Sequence, residues 1–332
     1  IGNIYFPYAK GGGHSKYANN IIDYVLWENG GEKIKNFKKS VIRNEGYYFK
    51  EAITYSDITS GNMFSARYLP VNHIFDVKGS CIFPQNTNLN YILGFVNCKF
   101  VNYVLKRLNP TPSFQVGDLK RIPYKEPKTS TINNVEKFTL SAKATKEKLL
   151  GFNYLSDFYH QVELYYGFDK DKSSIEKAFM EYLTYYETLE KDLYYNEFLI
   201  DEEVFNLYEI TPEDREVIEE EFGKSAYSYA KVDNPETLLS KEELESLYCV
   251  GKPTVVIDEE NDEGLITTKV VTIDGKKQTP LSVIEIAEFK QMNPEDVLAL
   301  RIKYGIYRDK DLLLAILNWL RAIVKDSIKE TN

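Results

Sequence analysis

Residues Leu89-Asn90-Tyr91-Ile92-Leu93-Gly94-Phe95-Val96-Asn97-Cys98-Lys99-Phe100-Val101-Asn102-Tyr103-Val104-Leu105-Lys106-Arg107-Leu108 set the architecture of the first third of the chain. Leu89, Ile92, Leu93, Val96, Phe100, Val104 and Leu108 recur at three- and four-residue spacing, which predicts one amphipathic helix. Asn109-Pro110-Thr111-Pro112 ends it, because two prolines forbid continuation. Upstream, short β-type runs alternate with turn signals: Asp23–Trp27 before Asn29-Gly30-Gly31, Tyr47-Tyr48-Phe49, Ala52–Tyr55, Phe64–Leu69 and His73–Val77. A short Ser113–Pro123 element follows the helix. Residues 1–127 therefore read as a mixed, β-rich domain with a packed helix.

Downstream the period changes. From about Ile132 to Phe198 the pattern is helical, and Ile175, Phe179, Tyr182, Tyr186, Leu189 and Leu193 alternate steps of four and three, the spacing of a coiled-coil seam. Residues 128–200 are expected to form a helical hairpin or bundle acting as a spacer. Tyr165-Tyr166, Tyr185-Tyr186 and Tyr194-Tyr195 could stack on bases, but aromatics at helical spacing among acids read as core. Residues 201–332 read as an acidic, mainly helical domain. Its short β-hairpin comes from Thr254–Ile257 and Thr267–Ile273, with Asp274-Gly275 as a turn signal after the second strand. Ser282 to Lys290, the turn Gln291-Met292-Asn293 and a helix capped by Asn293 with Pro294 at its first position outline a helix-turn-helix. Glu285, Glu288, Glu295 and Asp296 would face phosphates badly, so DNA binding is not assigned to it. The expected class is α+β: a β-rich domain with a packed helix, a mainly helical region and a small α/β C-terminal part.

The chain has 332 residues, 43% hydrophobic and 27% charged, enough for two or three ordinary cores. Its net charge of −9 is unevenly divided. Residues 1–127 carry 16 Lys and Arg against 9 Asp and Glu, net +7; the remaining 25 and 41 give residues 128–332 a net −16. A basic domain is the footprint of something that meets phosphates, although the same charge also suits a solvated face. No window approaches the roughly 20 apolar residues of a membrane span, and Ile1–Pro7 has no signal-peptide pattern. Cys81, Cys98 and Cys249 lie far apart with no CxxC, which argues against a disulfide framework or a zinc cage and makes a reducing cytoplasm the expected compartment. The chain begins at Ile1 without methionine and reads as a fragment of a longer polypeptide.

Lys10-Gly11-Gly12-Gly13-His14-Ser15-Lys16 is the best local candidate for nucleic-acid contact. Three glycines let backbone amides approach a phosphate, and Lys10 and Lys16 add charge. The GxxxxGK[ST] spacing is absent and no buried strand is expected before it, so it is not a P-loop; a flexible turn between strands is the other reading. Lys33-Ile34-Lys35-Asn36-Phe37-Lys38-Lys39, continuing to Arg43, interleaves cations with an aromatic and an amide, the types that grip phosphates and read base edges. Arg67, Lys78, Lys99, Lys106, Arg107, Lys120 and Arg121 extend the positive supply. No HExxH, GxSxG or paired-carboxylate constellation occurs, and His14, His73 and His160 are isolated.

Lys10-Gly11-Gly12, Trp27–Phe37 and Tyr47–Ser56, read in order, resemble the target-recognition region of the PglX-like adenine-specific DNA methyltransferases of BREX phage defence. The resemblance continues through Gly61, Arg67-Tyr68-Leu69-Pro70, Ile74–Ser80 with Phe83-Pro84, Leu93–Asn97, Leu108–Thr111, Phe114–Leu119 and Ile122-Pro123. It covers about residues 1–127. The resemblance implies a Rossmann-like catalytic domain with a glycine-rich S-adenosylmethionine loop and an Asn-Pro-Pro-Tyr motif; this chain has neither, so the cofactor is expected in a catalytic domain outside it and no catalytic residue is assigned here. Asn109-Pro110-Thr111-Pro112 is only superficially similar to that motif.

The implied function is sequence-specific recognition of double-stranded DNA, partnered by the methyltransferase domain of the same polypeptide, which flips and methylates adenine. The expected DNA-binding residues are Lys10, Gly11, Gly12, Lys16, Lys33, Lys35, Asn36, Lys38, Lys39 and Arg43, with Ser56, Asn62 and Arg67 on the reading surface. Two other classes stay open. One is a protein-interaction module for another BREX subunit or a phage DNA-mimic inhibitor; the other is a standalone restriction-modification specificity subunit. No membrane partner is expected.

Overall fold

The computed structural model describes residues 4–58, 63–153, 155–159, 175–251, 256–260, 266–270 and 279–330. Gly61, Asn62, His160, Tyr165-Tyr166 and Asp274-Gly275 lie outside the described residues. The chain is α+β, as the sequence predicts. It groups into two compact units, residues 1–160 with 192–223 and residues 161–191 with 224–332.

In the first unit the strands are β1 (Tyr5–Ala9), β2 (Tyr24–Leu26), β3 (Ala52–Ser56), β4 (Ala66–Leu69), β5 (Ile74–Phe75) and β6 (Gly79–Ile82). They make two small sheets, β2-β1-β5 and β4-β3-β6. β1 pairs antiparallel with β2 and parallel with β5. β3 is antiparallel to both neighbours, with Ile53 opposite Tyr68 and Ile82. Every residue of this central strand is buried, which suits its mix of apolar, β-branched and aromatic side chains. Tyr47-Tyr48-Phe49 is not a strand; Glu45–Tyr47 is a 3₁₀ turn. Packing claims the aromatics instead, with the Tyr48 ring 5.3 Å from both Trp27 and Phe75.

The helices of this unit begin with α1 (Glu32–Lys35), α2 (Leu89–Asn97), α3 (Lys99–Leu108), α4 (Val116–Leu119) and α5 (Thr129–Gly151). The 89–108 segment is thus two helices, broken at Cys98, whose φ of −73° and ψ of 160° are extended. The break follows from tertiary hydrogen bonds rather than from a proline or glycine. Asn97 Oδ1 accepts the Ala66 amide at 2.8 Å and its Nδ2 donates to Ala66 O at 2.9 Å. Asn102 Oδ1 accepts the Phe64 amide at 2.8 Å. Two buried amides therefore fix the chain entering β4. The core gathers Tyr17, Ile53, Tyr55, Phe64, Tyr91, Leu93 and Leu105, and a second cluster holds Trp27, Tyr48, Leu69, Ile74 and Phe75.

Helix α6 (Ile175–Tyr208) contributes residues to both units, and α7 (Pro212–Phe222) completes the first. The second unit adds α8 (Lys241–Glu245), the antiparallel pair β7 (Val256–Glu260) and β8 (Ile266–Val270), then α9 (Val283–Lys290), α10 (Pro294–Tyr304) and α11 (Asp309–Glu330). Ser282 and Glu285 form a capping box on α9, and Asn293 caps α10 with Pro294 in its first turn, the cap the sequence signals. α10 buries Val297, Leu298, Leu300 and Arg301. Along α6 the seam is displaced: Phe179, Leu183, Glu187 and Leu189 are buried, while Tyr182 and Tyr186 are half-buried. The displacement accommodates an ion pair. Arg301 Nη2 lies 2.5 Å from Glu187 Oε2, and Tyr248 donates to Glu187 Oε1 at 2.8 Å. Burial raises the Glu187 pKa against the lowering effect of Arg301.

Two substitutions test these packing arguments by urea denaturation. A Cβ at Gly94 would lie 2.2 Å from Thr139 Oγ1 and 2.8 Å from Val135 Cγ1, so α2 and α5 pack closely only through a glycine. Gly94→Ala is expected to destabilise the first unit by about 1–3 kcal/mol; an unchanged midpoint would show that the helices separate freely. Glu187→Ala strands a buried guanidinium and is expected to cost the second unit about 3–5 kcal/mol, with part recovered by Arg301→Leu in the same chain. Equal stability of the single and double variants would remove the pairing argument.

Candidate nucleic-acid interface

β1 leads through Lys10 into the Gly11-Gly12-Gly13 loop, but only Ala9 of that strand is buried and no helix follows the glycines, so the buried strand and helix of a P-loop are not there. All three glycines have positive φ, at 87°, 137° and 69°. Among the described residues, the backbone N–H groups of Gly11, Gly12, Gly13 and His14 have no hydrogen-bond acceptor. The carbonyls, by contrast, are held from inside the fold. Gly13 O accepts from Ser56 Oγ at 3.0 Å and from Arg67 Nη1 at 3.3 Å, and Gly12 O accepts from Asn19 Nδ2 at 3.2 Å. Arg67 Nη2 donates to Ser56 Oγ at 3.0 Å.

Ser56 and Arg67, expected on a reading surface, are each about 3% exposed and lie beneath the loop. Arg67 has no carboxylate partner among the described residues, and burial lowers its guanidinium pKa to about 10. Asn62 lies outside the described residues. Desolvation and then the nearby cations Lys16, Lys146 and Arg67 lower the His14 pKa, against the raising effect of Glu197.

Lys16 is already paired. Its Nζ lies 2.9 Å from Glu197 Oε2. Burial opposes the ammonium, but the Glu197 and Asp201 carboxylates outweigh it and raise the Lys16 pKa. Asp201 sits one helical turn beyond Glu197 and accepts the Lys99 amide at 2.8 Å, at the first position of α3. Burial pushes its carboxyl up to about 6, opposed by Lys99 and Lys16.

The second basic stretch divides in two. Lys33 pairs with Glu28 at 2.9 Å, and Lys35 pairs with Glu45 at 2.5 Å and lies 5.6 Å from the centre of the Trp27 ring. Asn36 caps the C-terminal end of α1 through its backbone amide. Lys38, Lys39 and Arg43 are exposed and, like Lys10, carry no ion pair among the described residues. Lys120 and Arg121 are also exposed and unpaired. Lys78, Lys106, Arg107 and Lys125 are paired, with Asp57, Glu221, Glu221 and Glu209 respectively. The structure therefore joins Gly11–Gly13, Ser56 and Arg67 into one assembly and leaves Lys10, Lys38, Lys39 and Arg43 as available cations. Sequence reasoning passed over Asn19, which buttresses the loop. A single amide seven residues beyond a glycine run carries no recognisable signal.

Among the described residues, no group of three or more His, Cys, Asp or Glu could hold a metal ion, and no helix is long and apolar enough to cross a membrane.

The Asp201 carboxyl predicts a defined pH response. Its folded-state pKa of about 6 exceeds the unfolded value near 4, so the native state binds more protons between them and this group's contribution to stability falls as pH rises through that window. Asp201→Asn keeps an acceptor for the Lys99 amide. The variant's stability relative to the parent chain should increase from about pH 4 to about pH 6 and level off above. A difference constant across that range, followed by denaturant melts, would show that Asp201 is not held protonated by the fold.

No family model matches the chain. It is similar to the adenine-specific methyltransferase PglX of Lacticaseibacillus casei (strain Zhang), at 41% identity over 127 residues that cover 36% of this chain and 10% of that protein. It is also similar to the adenine-specific methyltransferase BrxX of Escherichia coli O9:H4 (strain HS), at 27% identity over 263 residues that cover 74% of this chain and 20% of that protein. The matches span a tenth to a fifth of the length of these curated relatives. The chain is homologous to part of these adenine-specific methyltransferases.

Proposed function

We propose that this chain is a target-recognition portion of an adenine-specific DNA methyltransferase of the BREX type, binding double-stranded DNA through its first unit. The observation that carries the reading is the sorting of charge. Of the sixteen cations in residues 1–127, Lys16, Lys33, Lys35, Lys78, Lys106, Arg107 and Lys125 are neutralised by carboxylates, while Lys10, Lys38, Lys39 and Arg43 stay exposed without an ion pair among the described residues, as do Lys50, Lys120 and Arg121, and the four loop amides find no acceptor there. Cations and amides left unpaired at a surface match phosphate oxygens in both charge and hydrogen bonding. The homology to adenine-specific methyltransferases supplies the reaction to which such recognition would be joined.

In this reading the loop amides and Lys10 hold one stretch of backbone, and Lys38, Lys39 and Arg43 hold another. Ser56 and Arg67 form the floor that keeps the loop carbonyls turned inward and its amides outward. Lys16, Lys33 and Lys35 reach phosphates only by giving up Glu197, Glu28 and Glu45, so their net gain is small. S-adenosylmethionine and methyl transfer are assigned to a catalytic part of the same polypeptide outside this chain, acting on an adenine taken out of the stack. A protein that mimics DNA would meet the same cations.

Fluorescence anisotropy of the full 332-residue chain on duplex DNA, between roughly 50 and 200 mM salt, tests the assignment. Replacing Lys38, Lys39 and Arg43 by alanine together should weaken binding and flatten the log–log salt slope by about 2.7, since each lost phosphate contact removes about 0.9. Lys33→Ala with Lys35→Ala should change the slope by less than half as much. Equal slopes for the parent chain and the triple variant would remove this face from the DNA interface.

A further inference from the structure

The turn that follows α1 displays apolar and cationic groups together. Phe37 is 62% exposed and Val41 75% exposed, whereas Ile34 and Ile42 of the same segment pack against the Trp27, Tyr48 and Phe75 cluster. The turn is well tied. Phe37 N donates to Ile34 O at 3.0 Å, Ser40 N to Phe37 O at 2.9 Å, and Ser40 Oγ to Ile34 O at 2.6 Å. Phe37 is thus exposed on a hydrogen-bonded turn over a packed core, rather than at the end of a loose loop.

Charge indicates what covers it. Residues 37–44 read Phe-Lys-Lys-Ser-Val-Ile-Arg-Asn, with three cations and no acid. Of the acids nearest the run, Glu28 and Glu45 are taken by Lys33 and Lys35 at the base of the turn, while Glu32 sits in the first turn of α1, outside the 37–44 tip. The tip therefore presents two uncovered apolar side chains within a run of unpaired positive charge. Duplex DNA complements both features at once, because phosphates flank every apolar base step and an inserted side chain gains contact with base faces.

We propose that the Phe37–Arg43 turn is a wedge: Phe37, supported by Val41, enters a base step and partly unstacks it while Lys38, Lys39 and Arg43 hold the neighbouring phosphates. This rests on the DNA-binding reading above and extends it from contact to deformation of the duplex. Pyrimidine–purine steps, which unstack most easily, are the preferred point of entry.

The test uses the full chain at about 50 mM salt and a duplex carrying 2-aminopurine in its TpA steps, whose emission rises on unstacking. The parent chain should raise that emission on binding. Phe37→Ala with Val41→Ala should bind about tenfold more weakly and lose the emission rise, while its salt slope and melting temperature stay unchanged because the cations and the core are intact. Phe37→Trp should keep the emission rise, and its own indole fluorescence should be quenched on DNA. Salt-dependent binding by the parent chain without any rise, or a rise undiminished in the double alanine variant, would overturn the wedge and leave DNA binding standing. No salt-dependent binding by the parent chain would instead remove the DNA-binding reading itself.

Discussion

The buried start of α3 is the constraint on which the first unit depends. A helix N-terminus offers amides without intrahelical partners, and leaving one dry and unbonded costs about as much as a lost hydrogen bond. Here the Lys99 amide is satisfied by Asp201 from α6. With that terminus fixed, Asn97 and Asn102 on either side of the break at Cys98 reach the chain around β4, binding Ala66 and Phe64. Arg67 follows Ala66, so its place beneath the glycine loop is inherited from a carboxylate more than a hundred residues later in the chain. Glu197, one turn earlier on the same helix, holds Lys16 at the far end of that loop. One helix therefore steadies both the floor and the rim of the glycine loop.

The same arrangement changes the meaning of the charge division. The sequence assigns +7 to residues 1–127 and −16 to the remainder, which suggests two parts with different partners. Within the first unit, however, carboxylates from the acidic segment neutralise cations of the basic one: Glu197 takes Lys16, Glu221 takes both Lys106 and Arg107, and Glu209 takes Lys125. Net charge counts groups, whereas binding a phosphate requires a group that gives up nothing to do so. Among the described residues, Lys10 beside the glycine loop and Lys38, Lys39 and Arg43 in the turn after α1 are such groups, with Lys50, Lys120 and Arg121 elsewhere in the unit.

What was legible in the sequence follows from the range of each interaction. The cap of α10 is local, set by Asn293 with Pro294 in its first turn, and it could be read in place. The central strand β3 was legible because a run of apolar, β-branched and aromatic residues suits full burial. The break at Cys98 was not, since its causes are Asp201 and the chain entering β4. The only trace was the pair of amides Asn97 and Asn102, which turn out to be buried among the segment's apolar side chains. Likewise a heptad count on α6 favours Tyr182 and Tyr186 over Glu187, because a charged residue enters a core only when a distant Arg301 meets it. For the candidate site, residue types and the two stretches could be named, but not which lysines were already paired: Lys35 and Glu45 are ten residues apart and meet only through the turn between them.

The two buried guanidiniums show how the fold spends positive charge differently. In the second unit Arg301 faces Glu187, and the pair keeps its field largely to itself. In the first unit Arg67 meets only the Ser56 hydroxyl and the Gly13 carbonyl among the described residues, neutral groups that satisfy its hydrogens without cancelling its charge. Desolvation accordingly weakens its hold on the proton, and its field is felt at His14, whose pKa is lowered in part by Arg67. A buried cation that lacks a carboxylate is costly, and the cost is reduced by whatever negative charge approaches from outside. Above Arg67 lies the one stretch of the glycine loop whose amides point to no acceptor in the described fold. In the DNA-binding reading proposed above, a phosphate seated there would satisfy those amides and offset the Arg67 charge together, so its binding would draw on the same features that make this part of the fold costly on its own.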